Sequence, residues 1–114
     1  LVIATPTGST AYSLSIGGPI LVPASPSIIL AAIAPHSLTA RPLVVADDSR
    51  ISLKIESRSN HYLVSLDGHS QIFNEQTPIE VFKAAYTQKI VKRIGHTFFK
   101  TLRDKLMWGA DLRK

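Results

Sequence analysis

Residues 51–73, ISLKIESRSNHYLVSLDGHSQIF, decide the fold class. Ile51, Leu53 and Ile55 alternate with Ser52, Lys54 and Glu56, and Tyr62, Val64 and Leu66 repeat the same period of two. That period marks a strand with one face buried. Asp67-Gly68 follows, a pair that tolerates positive φ, and Ile72-Phe73 can begin a return strand, so a hairpin is predicted here.

Moving outward, further strands are predicted at Ile79 to Phe82 and Lys89 to Ile94, with strand patterns dominating from about residue 43. The opening Leu1-Val2-Ile3-Ala4 also reads as a strand. Toward the end the period changes. Phe99, Leu102 and Leu106 fall at helical spacing behind a Thr97 cap, and Gly109 suits the position past a helix end. Near the front, Ser9 to Ile16 lies between Gly8 and the breaker Gly17-Gly18-Pro19 and reads as a second short helix. The predicted fold is therefore mainly β, a β-sandwich of short antiparallel strands with a short helix near the start and a short carboxy-terminal helix. Helices do not alternate with the strands, which disfavours a parallel α/β sheet.

The chain has 114 residues, 45% of them hydrophobic, enough for one modest core, so residues 1–114 are expected to form a single domain. There is no cysteine. That excludes disulfides, thiolate metal sites and a cysteine nucleophile, and makes the cytoplasm the expected compartment. The apolar run Ile28 to Ala34 falls far short of the ~20 residues that a membrane helix needs, so no membrane partner is expected. Leu1 to Ala4 lacks the basic flank and cleavage site of a signal peptide.

Charge is unevenly spread. Residues 1–82 hold four Lys/Arg against six Asp/Glu, and residues 83–114 hold nine against two. A basic tail can meet nucleic acid, an anionic surface or a phosphorylated ligand. Phe98, Phe99 and Trp108 suit a packed amphipathic helix better than a base-stacking platform, so no nucleic-acid partner is expected.

The stretch richest in chemistry is Thr5-Pro6-Thr7-Gly8-Ser9-Thr10-Ala11-Tyr12, a hydroxyl-rich turn leading from a strand into a helix. Gly8 allows close approach to the backbone, amides near Ser9 and Thr10 suit a phosphate or an array of hydroxyls, and Tyr12 offers a flat ring. It is neither a Walker A loop nor a Rossmann glycine pattern. By local rules alone, a capped surface helix without a ligand is the simpler reading.

Thr5 to Ile20, TPTGSTAYSLSIGGPI, resembles the NAD kinase signature almost letter for letter. The resemblance continues through Pro35 to Leu43 (PHSLTARPL), Asp67-Gly68 and Lys105 to Gly109 (KLMWG), in order and over essentially the whole chain. It implies phosphoryl transfer from ATP or polyphosphate to the 2′-hydroxyl of the adenosine ribose of NAD, giving NADP. It carries NAD contacts to Thr10, Ala11, Tyr12, Ser13, Leu14 and Ser15. Thr10 and Ser15 would be hydroxyl partners, Tyr12 an aromatic wall, and Ala11 and Leu14 backbone or packing contacts. Ala34 would line the same pocket through its main chain, and His69 stands where the family often has glutamine. An imidazole can still donate or accept a hydrogen bond there.

In the family the proposed general base belongs to a Gly-Gly-Asp-Gly-Thr loop, and an Asn-Glu pair holds the adenine side of NAD. Both lie in the amino-terminal part of the family's sequences, and no Gly-Gly-Asp-Gly-Thr run occurs in this sequence. No catalytic residue is therefore assigned, and the chain alone is expected to be inactive. The histidines show no metal-ligand spacing, so no protein-made metal site is expected, and Mg²⁺ or another divalent cation would arrive with ATP. Arg41, extended before Pro42, could hold a carboxylate or a phosphate. The resemblance also implies a homo-oligomer formed through this domain. Two other readings remain open: a pure oligomerisation unit, and a lipid kinase of the wider superfamily, which the polar TPTGSTAY cradle disfavours.

Overall fold

A computed structural model describes residues 1–111 and Arg113. The chain divides into two units, Leu1–Ala46 with Ala85–Lys114, and Asp47–Ala84. Every strand pairing among the described residues is antiparallel, and two short helical regions accompany the strands, so the chain is mainly β as expected.

The first unit holds a three-stranded sheet. Its strands are β1 (Val2–Ala4), β2 (Ser27–Ala31) and β3 (Leu43–Ala46), in that order with β2 in the centre. Val2 lies opposite Ala31, and Ile28 opposite Val45. Ile28, Ile29 and Ala31 are buried, and because neighbouring strand residues point to opposite faces, β2 is covered on both. A strand buried on both faces reads as an unbroken apolar run, which explains the run beginning at Ile28.

The single helix predicted from Ser9 to Ile16 is instead two short pieces. A 3₁₀ turn covers Thr7–Thr10 and one α-turn, α1, covers Tyr12–Ser15. They are separated at Ala11, whose φ of −96° and ψ of −130° leave the helical region. The hydroxyls that suggested caps make no capping bond at either start. Ser9 and Ser15 turn back onto the carbonyls of Pro6 and Tyr12, both at 2.6 Å, and such bonds compete with a continuous helix.

The last helix, α2 (Phe98–Leu106), starts where expected, with Thr97 Oγ1 accepting from the Lys100 amide at 3.2 Å. Its end differs. Met107, not Gly109, takes the first left-handed position (φ 54°), and the amides of Met107 and Trp108 both turn back to the Leu102 carbonyl. Leu102 is the buried residue of this helix. Lys89 to Ile94, predicted as a strand, forms none; Val91 and Ile94 are fully exposed. Only a ladder with a neighbour holds a strand, and none of the described pairings includes these residues.

The second unit contains two strand pairs. β4 (Ile51–Leu53) pairs with β7 (Ile79–Val81), and β5 (His61–Leu66) forms a hairpin with β6 (His69–Asn74). Both turn residues have positive φ, 48° at Asp67 and 89° at Gly68, as a type I′ turn requires. Tyr62 stacks on Phe73 across the hairpin with ring centroids 5.9 Å apart, and the Tyr62 hydroxyl donates to the Thr77 carbonyl at 2.6 Å. Arg50 bonds Glu80 at 2.7 Å and lies 4.0 Å over the Phe82 ring. No helix of the described residues is long and apolar enough to cross a membrane.

Candidate functional site

The chain leaves β1 at Thr5, turns through Thr7–Thr10, breaks at Ala11, makes the single turn of α1, and leaves through Gly17 and Gly18. Both the 3₁₀ turn and α1 touch β1, so the whole excursion stays against that strand.

Two buried serines organise it. Ser9, with no exposed surface, donates its hydroxyl proton to the Pro6 carbonyl at 2.6 Å and accepts the Leu21 amide at 3.0 Å. Ser13, 1% exposed, accepts the Gly18 amide on its carbonyl at 2.8 Å. The Ser13 hydroxyl is buried without a protein partner. The two contacts close nested loops, residues 9–21 around residues 13–18, and between them they hold α1 in place.

The exposed surface of this excursion carries most of the candidate contacts. Tyr12 is 60% exposed, which leaves a flat face available. Ala11 and Ser15 are exposed, and Thr10 and Leu14 are half-buried. Ser15 Oγ spends its proton on Tyr12 O and keeps its lone pairs. The amides first read as free to cradle a phosphate are partly engaged: Ser9 N–H donates to Pro6 O at 3.1 Å and Gly8 N–H to Thr5 Oγ1 at 3.3 Å. The turn therefore offers hydroxyls and an aromatic face more than a nest of bare amides.

Ala34 lies in the same unit, just beyond the end of β2 that runs beside the start of β1. It is exposed and left-handed, with φ of 47°, although it has a side chain and precedes Pro35. A non-glycine residue in that region carries strain, and such strain gathers where main chain is presented to a ligand. His69 belongs to the other unit, exposed at the first position of β6 and opposite Leu66.

Arg41 folds onto its own loop, donating to the carbonyls of Leu38 (3.0 Å) and Ala40 (3.2 Å), so its hydrogen bonds are structural. Among the described residues no three His, Cys, Asp or Glu side chains come together as a metal would need. A cavity of about 490 Å³ in the second unit is lined by Leu53 to Glu56 and Glu75 to Pro78 and contains none of the predicted site residues. Sequence reasoning missed the two residues that shape the site, Ser9 and Gly18. Ser9 was one hydroxyl among several, and Gly18 was read only as a helix breaker.

Residues 1–93 match the family described as ATP-NAD kinase C-terminal domain. The chain is 57% identical over 113 residues to a NAD kinase of Bacteroides fragilis, covering 99% of this chain and 39% of that protein. It is 51% identical to a NAD kinase of Flavobacterium johnsoniae, covering 99% of this chain and 38% of the other. Among solved structures it is similar to yeast NADH kinase complexed with NADH, with a TM-score of 0.70 and 31% identity over 97% of this chain and 33% of the yeast chain. The chain thus spans less than two fifths of the length of these relatives.

Proposed function

The chain belongs to the ATP-NAD kinase C-terminal domain family, and from that membership we propose that it is the substrate-binding portion of an NAD kinase. The reaction moves the terminal phosphoryl group of ATP, or of polyphosphate, to the 2′-hydroxyl of the adenosine ribose of NAD. A new phosphorus–oxygen bond forms at the ribose, the bond to the leaving phosphate breaks, and the hydroxyl proton passes to a base.

One observation carries the reading: the matched segment folds into a pinned turn that leaves the Tyr12 ring exposed. In this reading Tyr12 forms an aromatic wall, Thr10 and Ser15 bond the polar parts of NAD, and Ala11 and Leu14 give backbone or packing contacts. The buried Ser13 shapes the turn, the Ala34 main chain lines the pocket, and His69 is carried as an NAD contact by the family resemblance alone. No residue of this chain is given the role of base.

A divalent cation accompanying ATP would neutralise phosphate charge and would be held by the phosphates themselves. Self-association through this domain fits the exposed apolar pairs, such as Leu63 opposite Ile72. A cytoplasmic setting, with no nucleic-acid or membrane partner, completes the proposal.

The test is NADP formation from NAD, ATP and Mg²⁺ in the intact enzyme. Tyr12→Ala should raise the KM for NAD about tenfold or more, the loss of roughly one well-packed aromatic contact. Unchanged NAD kinetics in that variant would overturn the assignment of the site.

A further inference from the structure

We propose that Ser9 is a positioning residue: its buried hydroxyl latches residues 9–21 into a closed loop and so holds Tyr12 in the orientation that NAD requires. The inference rests on the functional reading above and deepens it.

Three observations combine. Ser9 has no exposed surface, so it cannot itself touch a ligand. Its hydroxyl is used in both directions, donating to Pro6 O at the start of the turn and accepting from Leu21 N twelve residues later. Everything the functional reading places against NAD within this segment, Thr10, Ala11, Tyr12, Leu14 and Ser15, lies between those two anchor points, whereas Ser13, 1% exposed, is too buried to meet NAD directly. α1 is a single turn without a side-chain cap, and a helix so short is unstable alone, so it depends on this contact together with the Gly18–Ser13 bond and its packing on β1. A hydroxyl at position 9 thus sets the geometry of residues that meet the ligand from a place the ligand never reaches.

Linkage gives the inference a consequence in the unaltered protein. If NAD binds only the latched loop, NAD must in turn stabilise the latch. Hydrogen exchange at the Leu21 amide, whose partner is Ser9 Oγ, reads this directly. In the intact enzyme, saturation with NAD at about one hundred times its Kd should slow Leu21 exchange by up to roughly a hundredfold. The β5–β6 hairpin amides should change much less. No slowing, or equal slowing at all amides, would overturn the latch.

Substitution supplies the second arm. Ser9→Ala should raise the NAD KM by about tenfold while kcat changes little, because a mispositioned wall weakens binding without touching the transferring phosphoryl group. Ser9→Cys, close in size and weaker in hydrogen bonding, should fall between Ala and the parent. A Ser9→Ala enzyme with the parent NAD KM, whether its apparent kcat is unchanged or falls with the amount of folded protein, would overturn the inference. Failure of the functional reading looks different, because the unaltered enzyme would then show no NAD binding at all.

Discussion

Gly18 and Ser13 meet backbone to backbone: the Gly18 amide donates to the Ser13 carbonyl at 2.8 Å, and a Cβ on residue 18 would lie 2.7 Å from that same oxygen and overlap the Ser13 hydroxyl. The adjacent Gly17 is different, with φ of 87° and open space around its missing Cβ. Position 18 needs glycine for room, and position 17 needs it for backbone conformation. Gly18→Ala should cost about 1–3 kcal/mol through overpacking. Gly17→Ala should cost about 1–2 kcal/mol from the left-handed backbone alone. Urea denaturation separates them further, because Gly17→Asn should recover part of the loss while Gly18→Asn should be worse than Gly18→Ala.

The hairpin turn offers a second test. Asp67 and Gly68 both sit at positive φ, and the register from His61–Asn74 to Leu66–His69 depends on that turn. Asp67→Asn should leave stability within about 0.5 kcal/mol, since Asn-Gly is equally suited to the turn. Gly68→Ala should cost about 1–2 kcal/mol, because φ of 89° opposes a side chain. Thermal melts of the two variants decide it, and equal Tm values would show that the positive φ at Gly68 does not limit stability.

The hairpin was legible in the sequence because both of its signals are local, alternation in Tyr62, Val64 and Leu66 and a turn pair between the strands. The same holds for α2, where the Thr97 cap and the apolar spacing lie within a few residues of each other. β2 gave no such signal: an unbroken apolar run fits a strand or a buried helix equally well, and only pairing with β1 and β3 decides between them. Lys89 to Ile94 failed for the opposite reason, since its pattern suited a strand but no described neighbour pairs with it. At the site, the exposed Tyr12 was legible from the motif, whereas the Ser9 latch depends on Leu21, twelve residues away, and no local rule links the two.

Acid should weaken the second unit through Glu80. The hydrogen bond from Arg50, and then its charge, hold the Glu80 carboxyl below the usual carboxylate range. A carboxyl whose folded value is lowered contributes stability that is fully present above the unfolded value and is lost as pH falls through the folded one. The loss therefore lies on the acid side, at and below the ordinary carboxylate range, and neutral pH should show none of it. Both partners are solvent-exposed, so the effect should be small and should shrink further in salt. A carbon-detected titration should find Glu80 ionising below the usual carboxylate range, and Arg50→Gln should return it to that range. An unchanged titration in that variant would show that the pair does not persist in solution.

Ala34 links backbone strain to the proposed pocket. Its φ of 47° would cost a glycine nothing, and the residue is exposed, so no packing is lost when the methyl group is removed. Relief of the left-handed penalty is worth about 1–2 kcal/mol. The greater freedom of glycine in the unfolded chain takes back about 0.4–1 kcal/mol. Ala34→Gly should therefore be neutral or raise stability slightly, while Ala34→Val, with a branched side chain in the same region, should lower it by more than 1 kcal/mol or so. If the main chain at this position lines the NAD pocket, Ala34→Gly should keep the parent KM for NAD, because the carbonyl and amide can stay where they are. Ala34→Val should raise that KM by shifting them. A valine variant that loses stability but binds NAD like the parent would confine Ala34 to a role in the loop and remove it from the pocket.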